Sequence, residues 1–201
     1  MAKYHKYVFD VEKREFIGDF ETMYRDESKD NFDSWHQDDS RQLQRRIALA
    51  ILDDYNFNTI LDLGSGKGSL THLLKRKNNH VVGVDISQTA VDIARERFPD
   101  IEFKAVDLNS IEKYRELVSG GVELIFTSEL LSYIKNWREL LDEISKTAKY
   151  LMVSLFIPDN PIGFIKSERE LLEHIESSFN IIEHVTINRP KFVIIFAEGR
   201  C

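Results

Sequence analysis

The sequence predicts an α/β chain: a mostly parallel sheet closed by an antiparallel hairpin and preceded by a helical extension. Three observations carry that prediction. From position 58 onward, short β-branched runs alternate with helical patterns, the signature of parallel strands joined by crossover helices. The run Ile60-Leu-Asp-Leu63 passes directly into a loop with glycine at 64, 66 and 68, where the main chain can turn tightly and a ligand can approach it closely. Near the end, two strand-like runs at 179–187 and 192–197 are separated only by Asn188-Arg189-Pro190-Lys191. That link is too short for a helical crossover and suits a hairpin.

Taken in order, residues 12–27 read as one helix and 28–39 as a polar and aromatic loop. Residues 40–55 read as a second helix with Leu43, Ile47, Ala50 and Ile51 on one face. Positions 1–57 would thus form an extension, or lid, on a core running from 58 to 201, the whole being one domain. Core strands are expected at Thr59–Leu63 and His80–Asp85, then at 101–107, 122–127 and 150–157. The helix at 87–97 starts at an N-cap serine, Ser87, and is stopped by Pro99. The helix at 136–147 places Trp137, Leu140, Leu141 and Ile144 at core spacing. A further helix opens with the capping-box spacing Ser167-Glu-Arg-Glu170 and buries Leu171, Leu172 and Ile175.

Composition narrows the function classes. Of 201 residues, 42% are hydrophobic and 30% charged, the balance of an ordinary globular domain. No apolar run approaches the roughly 18–20 residues of a membrane span, and the N-terminus lacks the apolar region of a signal peptide, so a cytoplasmic location is expected. The single cysteine, Cys201, excludes an intramolecular disulfide and reads as incidental. A net charge of −7 argues against a nucleic acid as partner, because that affinity rests on phosphate neutralisation by Lys and Arg. No spacing of His, Cys, Asp and Glu suggests a metal site.

Nucleotide readings compete for the glycine loop. A Walker A loop fails, since Leu61 stands where its first glycine belongs and Gly68 follows Lys67. A dinucleotide fingerprint matches at Gly64 and Gly66 but meets Ser69 at its third glycine, so an NAD(P)-dependent oxidoreductase stays as an alternative. Asp62-x-Gly64-x-Gly66-x-Gly68 resembles motif I of the class I S-adenosylmethionine (SAM) methyltransferases. About 20 positions beyond Gly64, Asp85 ends the second strand, where a carboxylate can accept from both ribose hydroxyls. Asp107 ends the third. The segment Ser128-Glu129-Leu-Leu-Ser-Tyr133-Ile lacks the Asn/Asp-Pro-Pro-aromatic element of nucleic-acid amino methyltransferases. It resembles small-molecule methyltransferases instead, the nodulation-type N-methyltransferases in particular, as do Phe20-Glu-Thr-Met-Tyr24 and Trp35.

That resemblance implies a Rossmann-like seven-stranded sheet, SAM as methyl donor and S-adenosylhomocysteine (SAH) as product. It implies cofactor contacts at Asp62, Gly64, Ser65 and Gly66 in the loop and at Asp85 and Ile86 beside the ribose. Asp107 and Leu108 would meet the adenine, and Ser128 would close the site. A base is required only for an acceptor that arrives protonated; His36 and Glu129 are the candidates. Tyr24, Trp35 and Tyr133 are expected to border an acceptor pocket, their faces suited to a sulfonium cation. Arg41, with Arg45, Arg46, Lys166 and Arg189, would bind an anionic acceptor such as a phosphorylated or nucleotide-linked sugar. A non-catalytic SAM-binding module is the other alternative. The acceptor, O- against N-methylation and oligomeric state stay open.

Overall fold

The computed structural model describes residues 5–39 and 41–200, so Met1 to Tyr4, Ser40 and Cys201, and the readings placed on them, lie outside the described residues. The chain enters through a short antiparallel pair, β1 (Phe9–Asp10) and β2 (Glu15–Phe16). It turns at Gly18, with φ at +75°, into helix α1 (Phe20–Asp30). The expectation of one helix over 12–27 is therefore corrected. Arg14 and Gly18 both take left-handed backbone, and the Asp19 carboxylate caps α1 by accepting from Thr22 N–H at 3.1 Å. Asn31, at φ +49°, ends that helix, so the expected loop at 28–39 gives its first three residues to α1.

Helix α2 (Leu43–Asp53) buries Gln44, Arg45, Ala48 and Leu52 and leaves Leu43 52% exposed. The expected face of Leu43, Ile47, Ala50 and Ile51 is thus turned partly outward. The cause is Arg45. Its guanidinium donates to the carbonyls of His36, Gln37 and Asp39 at 2.7, 2.9 and 3.1 Å, which fixes the helix's roll.

The core then alternates: β3 (Thr59–Leu63), α3 (Ser69–Leu74), β4 (His80–Asp85), α4 (Gln88–Arg97), β5 (Glu102–Ala105), α5 (Ile111–Leu117), β6 (Val122–Ser128), α6 (Trp137–Thr147), β7 (Ala148–Phe156), α7 (Glu168–Ser178), β8 (Phe179–Asn188) and β9 (Lys191–Gly199). The strands form one seven-stranded sheet in the order β5-β4-β3-β6-β7-β9-β8. The first five run parallel, and β9 inserts antiparallel between β7 and β8. The third strand is shorter than expected, so Asp107 lies in the turn beyond it. Helix α5, capped by Ser110, adds to the expected elements.

Period-two alternation along the strands distributes the core. Leu61, Ile125, Leu151 and Ile195 join Trp137, Leu140 and Ile144 on one face. Ile60, Leu124, Met152 and Ile194 join Ala48 and Leu52 on the other. Helices on both faces explain why β6 is buried from Leu124 to Thr127 without a break.

Helix α1 lies across the carboxyl ends of β3 and β4 and is tied there by side chains. Glu21 accepts from the Ser87 hydroxyl at 2.6 Å and from Thr89 N–H at 3.2 Å, while Ser87 caps α4 through Ala90 N–H. Glu21→Ala is expected to lower the unfolding free energy by about 1 kcal/mol, the typical value of a cap. A urea midpoint equal to wild type would show that this contact contributes nothing.

Candidate functional site

Left-handed backbone at Gly64 and Gly66, at φ +80° and +53°, curls the loop after β3 back over the sheet. Gly64 N–H and Ser65 N–H both donate to the Val84 carbonyl at 2.8 Å. Gly66 N–H donates to Asp85 Oδ2 at 2.9 Å, and Ser87 N–H to Oδ1 at 3.0 Å. Asp85 is thus braced by main chain from two loops. Burial pushes its carboxyl up, and the Ser87 and Gly66 amides pull the other way. Beneath the loop, Asp62 is 2% exposed and accepts from Thr71 Oγ1 at 2.6 Å. Burial raises it to about 7.

Gly68 has a different task. A Cβ there would meet Phe103 Cζ at 2.8 Å and Ala94 Cβ at 3.1 Å, so this third glycine admits α4 and β5 close to the loop and faces no ligand.

A cavity of about 360 Å³ opens beside the loop at the carboxyl end of the sheet. Gly64, Ser65, Asp85, Ile86, Asp107 and Leu108 line one half. Tyr24, Trp35, His36, Ser128, Glu129 and Tyr133 line the remainder. Asp62 lies under the loop, and Gly66 touches the cavity only through Asp85 and Gln37. Arg41 is not brought to it. Its side chain is 89% exposed and pairs with Asp39 at 3.0 Å.

Arg45, expected with Arg41 as a ligand of an anionic acceptor, lines the cavity, as does Phe20, while sequence reasoning passed over Gln37, Gln44, Asn109 and the rings of Phe16, Phe156 and Phe192. Phe156 and Phe192 are cross-strand partners at the end of β7 and the start of β9. Gln37 sits against the glycine loop, taking Lys67 N–H at 2.8 Å and donating to the Tyr24 hydroxyl at 2.8 Å. Lys67 is itself buried, with Nζ 3.1 Å from Asp33 and 3.6 Å from Glu27.

Tyr133 is the centre of the aromatic wall. Phe16 stacks on it at 5.8 Å, and Phe20 meets it edge-on at 5.2 Å. Opposite, Glu129 has φ +61°, uncommon for any residue with a side chain. Its Oε2 accepts from Phe156 N–H at 3.0 Å. Its Oε1 is buried with no hydrogen-bond partner among the described residues. Burial raises this carboxyl to about 8, against the Phe156 N–H bond and the attraction of Arg45.

Among the described residues, no helix is long and apolar enough to cross a membrane. Residues 56–197 match a family model described as a methyltransferase domain. Phosphoethanolamine N-methyltransferase 1 of Triticum aestivum is 30% identical over 112 residues, 54% of this chain and 22% of that protein. Trans-aconitate 2-methyltransferase of Azoarcus sp. is 31% identical over 107 residues, 52% and 40% of the two chains. The chain therefore spans well under half the length of these curated relatives. Among solved structures, the N-methyltransferase NodS of Bradyrhizobium japonicum, in complex with SAH, superposes with a TM-score of 0.71 at 16% identity, covering 89% of this chain and 98% of that one. Magnesium protoporphyrin IX methyltransferase of Synechocystis, with bound SAH, gives 0.64 at 17% identity, covering 82% and 84%. With the family model spanning most of the sheet, and with NodS sharing its fold, the chain belongs to the class I SAM-dependent methyltransferases.

Proposed function

We propose that this chain transfers the methyl group of SAM to a small-molecule acceptor seated in the aromatic half of the cavity. The observation that carries the reading is continuity: one cavity joins the acid-lined half at the glycine loop to the aromatic half around Tyr133.

The residues present fit the cofactor. Asp85, held from below by two amides, offers its outward lone pairs to ribose hydroxyls. Ile86, 46% exposed at the cavity, gives an adenine ring an aliphatic face. Asp107, positioned by Asn109 N–H at 3.0 Å, accepts from the exocyclic amine, and Leu108 supplies a main-chain donor beside it. Gly64 and Ser65 present main chain to the methionine end, with Gly66 holding Asp85 behind them, and the Ser65 hydroxyl is buried with no hydrogen-bond partner among the described residues. A Cβ at Gly64 would meet Leu130 Cβ at 3.0 Å, so a side chain there would crowd the wall at Leu130. Asp62 supports the loop from beneath, and Ser128 closes the far end.

SAM supplies the activated methyl on a sulfonium. The protein's part is to bind, orient and exclude water. Tyr24, Trp35 and Tyr133 form a wall favourable to positive charge, and His36, at the rim, can take a proton from an acceptor hydroxyl. Residues 5–39 act as the cover of the site.

Calorimetric titration with SAH tests the reading. Binding at roughly micromolar Kd is expected. No binding of SAH, or binding of NADH in its place, would overturn it.

A further inference from the structure

We infer that the acceptor is an aromatic molecule whose ring lies against the Phe156–Phe192 pair at the far end of the cavity. This rests on the methyl-transfer reading above and names the substrate class of the same cavity.

Strand order decides which end is left for the acceptor. Asp85 ends β4 and Asp107 lies just beyond β5, both on one side of β3 and its glycine loop. On the other side come β6, β7 and β9. Phe156 closes β7 and Phe192 stands at the start of β9. They are two and three strands from β3, or roughly 10 and 14 Å at the usual interstrand spacing. A cofactor that runs from Gly64 past Asp85 to Asp107 extends away from this pair. The two rings therefore face whatever else enters the cavity.

Both rings line it, with centroids 5.4 Å apart and planes tilted by 42°. Among the described residues, neither ring pairs with any other. Tyr133, by contrast, is already stacked on Phe16 and met edge-on by Phe20. Phe156 remains 38% exposed. A large apolar side chain left open on a cavity wall gains free energy when a ligand covers it. An aromatic ligand gains further from stacked or edge-on geometry.

The polar groups of the lining point the same way, because they are engaged with the protein itself. Gln37 accepts from Lys67 N–H and donates to the Tyr24 hydroxyl. Gln44 donates to Gln42 at 2.6 Å. Asn109 donates to Asp107 and accepts from Lys135 N–H, both at 3.1 Å. These four are the amide side chains of the described lining. Arg45, its one lysine or arginine, is turned onto the carbonyls of Trp35, His36, Gln37 and Asp39. A phosphate or a polyol would give up its water and find these donors in use. An aromatic ring asks chiefly for apolar contact, which Phe156 and Phe192 offer.

The test is calorimetric titration of 2-naphthol, cyclohexanol and glucose 6-phosphate into the enzyme saturated with SAH. The three probes separate an aromatic acceptor from an alicyclic one and from a phosphorylated sugar. 2-Naphthol is expected to bind at roughly submillimolar Kd, and the other two at least about tenfold more weakly. Phe156→Leu and Phe192→Leu keep apolar side chains. Each should weaken 2-naphthol about fivefold, the typical contribution of one aromatic pair, and leave SAH affinity within about twofold. Absence of 2-naphthol binding at roughly 1 mM, or equal affinity for either other probe, overturns the inference. Unchanged 2-naphthol affinity in both variants overturns it too, by seating the ring elsewhere in the cavity. So does a parallel loss of SAH affinity, which would give the pair to the cofactor or to the fold. Failure of wild type to bind SAH would instead remove the methyl-transfer reading and this one with it.

Discussion

Asp62→Asn should make the cofactor-free protein more stable at alkaline pH and leave it unchanged at acid pH. Asp62 is buried under the glycine loop with one hydrogen bond, from Thr71, and its carboxyl titrates near 7 instead of 3.8. A folded value above the unfolded one means that the folded chain prefers the protonated acid. Its contribution is fully present below about pH 4 and is lost as pH rises through about 7. Three units correspond to on the order of 4 kcal/mol. Asparagine keeps the shape, still accepts from Thr71 and has no charge to bury. Urea unfolding should therefore give coincident curves for variant and wild type at pH 4 and a gap that opens through pH 6 to 8. Glu129, raised to about 8, acts in the same direction in both proteins and does not blur the comparison. Parallel curves at every pH would mean that Asp62 carries its charge at no cost.

Asp85→Ala should cost at least about 100-fold in affinity for SAM and SAH. A hydrogen bond to a charged group contributes about 1.5–3 kcal/mol, and two ribose hydroxyls would lose theirs. The variant also frees the N–H groups of Gly66 and Ser87, which loosens the glycine loop. Asp85→Asn keeps an acceptor in place and should lose less. The fold should survive, because helix α4 retains its own cap from Ser87 to Ala90. Calorimetric affinity within about tenfold of wild type would show that Asp85 only braces the loop.

The sheet and the acid-lined half of the cavity were legible because their signals are local. Glycine after an apolar strand, and an acid at the end of the next, are fixed by backbone geometry within a few residues. The N-terminal segment was less legible. Apolar spacing over 12–27 suits a helix, and nothing nearby outweighs it until Arg14 and Gly18 turn the chain with left-handed backbone. The roll of α2 was hidden because it is set by Arg45 reaching the carbonyls of 36–39, a tertiary contact that overrides apolar spacing. For the same reason Arg41, at the exposed start of the same region, reads like Arg45 in sequence and stands outside the cavity in space. The strain at Glu129 and its unpartnered oxygen arise from β6 meeting β7, which no single segment records. Gln37, resting on Gly66 where a Cβ would meet its amide at 2.4 Å, is likewise a meeting of two distant segments.

Lys67 gives the glycine loop a mechanical role. It follows Gly66 directly, and its ammonium is anchored to Asp33 and Glu27 of the N-terminal segment, while Gln37 holds its amide. The loop and the N-terminal segment are thereby joined at Lys67, alongside the Ser69 hydroxyl on Asp38 and the Glu21 carboxylate on Ser87 and Thr89. A displacement of the loop therefore acts on helix α1 through Lys67 and Glu27 as well as on β4 through the Gly64 and Ser65 amides held by the Val84 carbonyl.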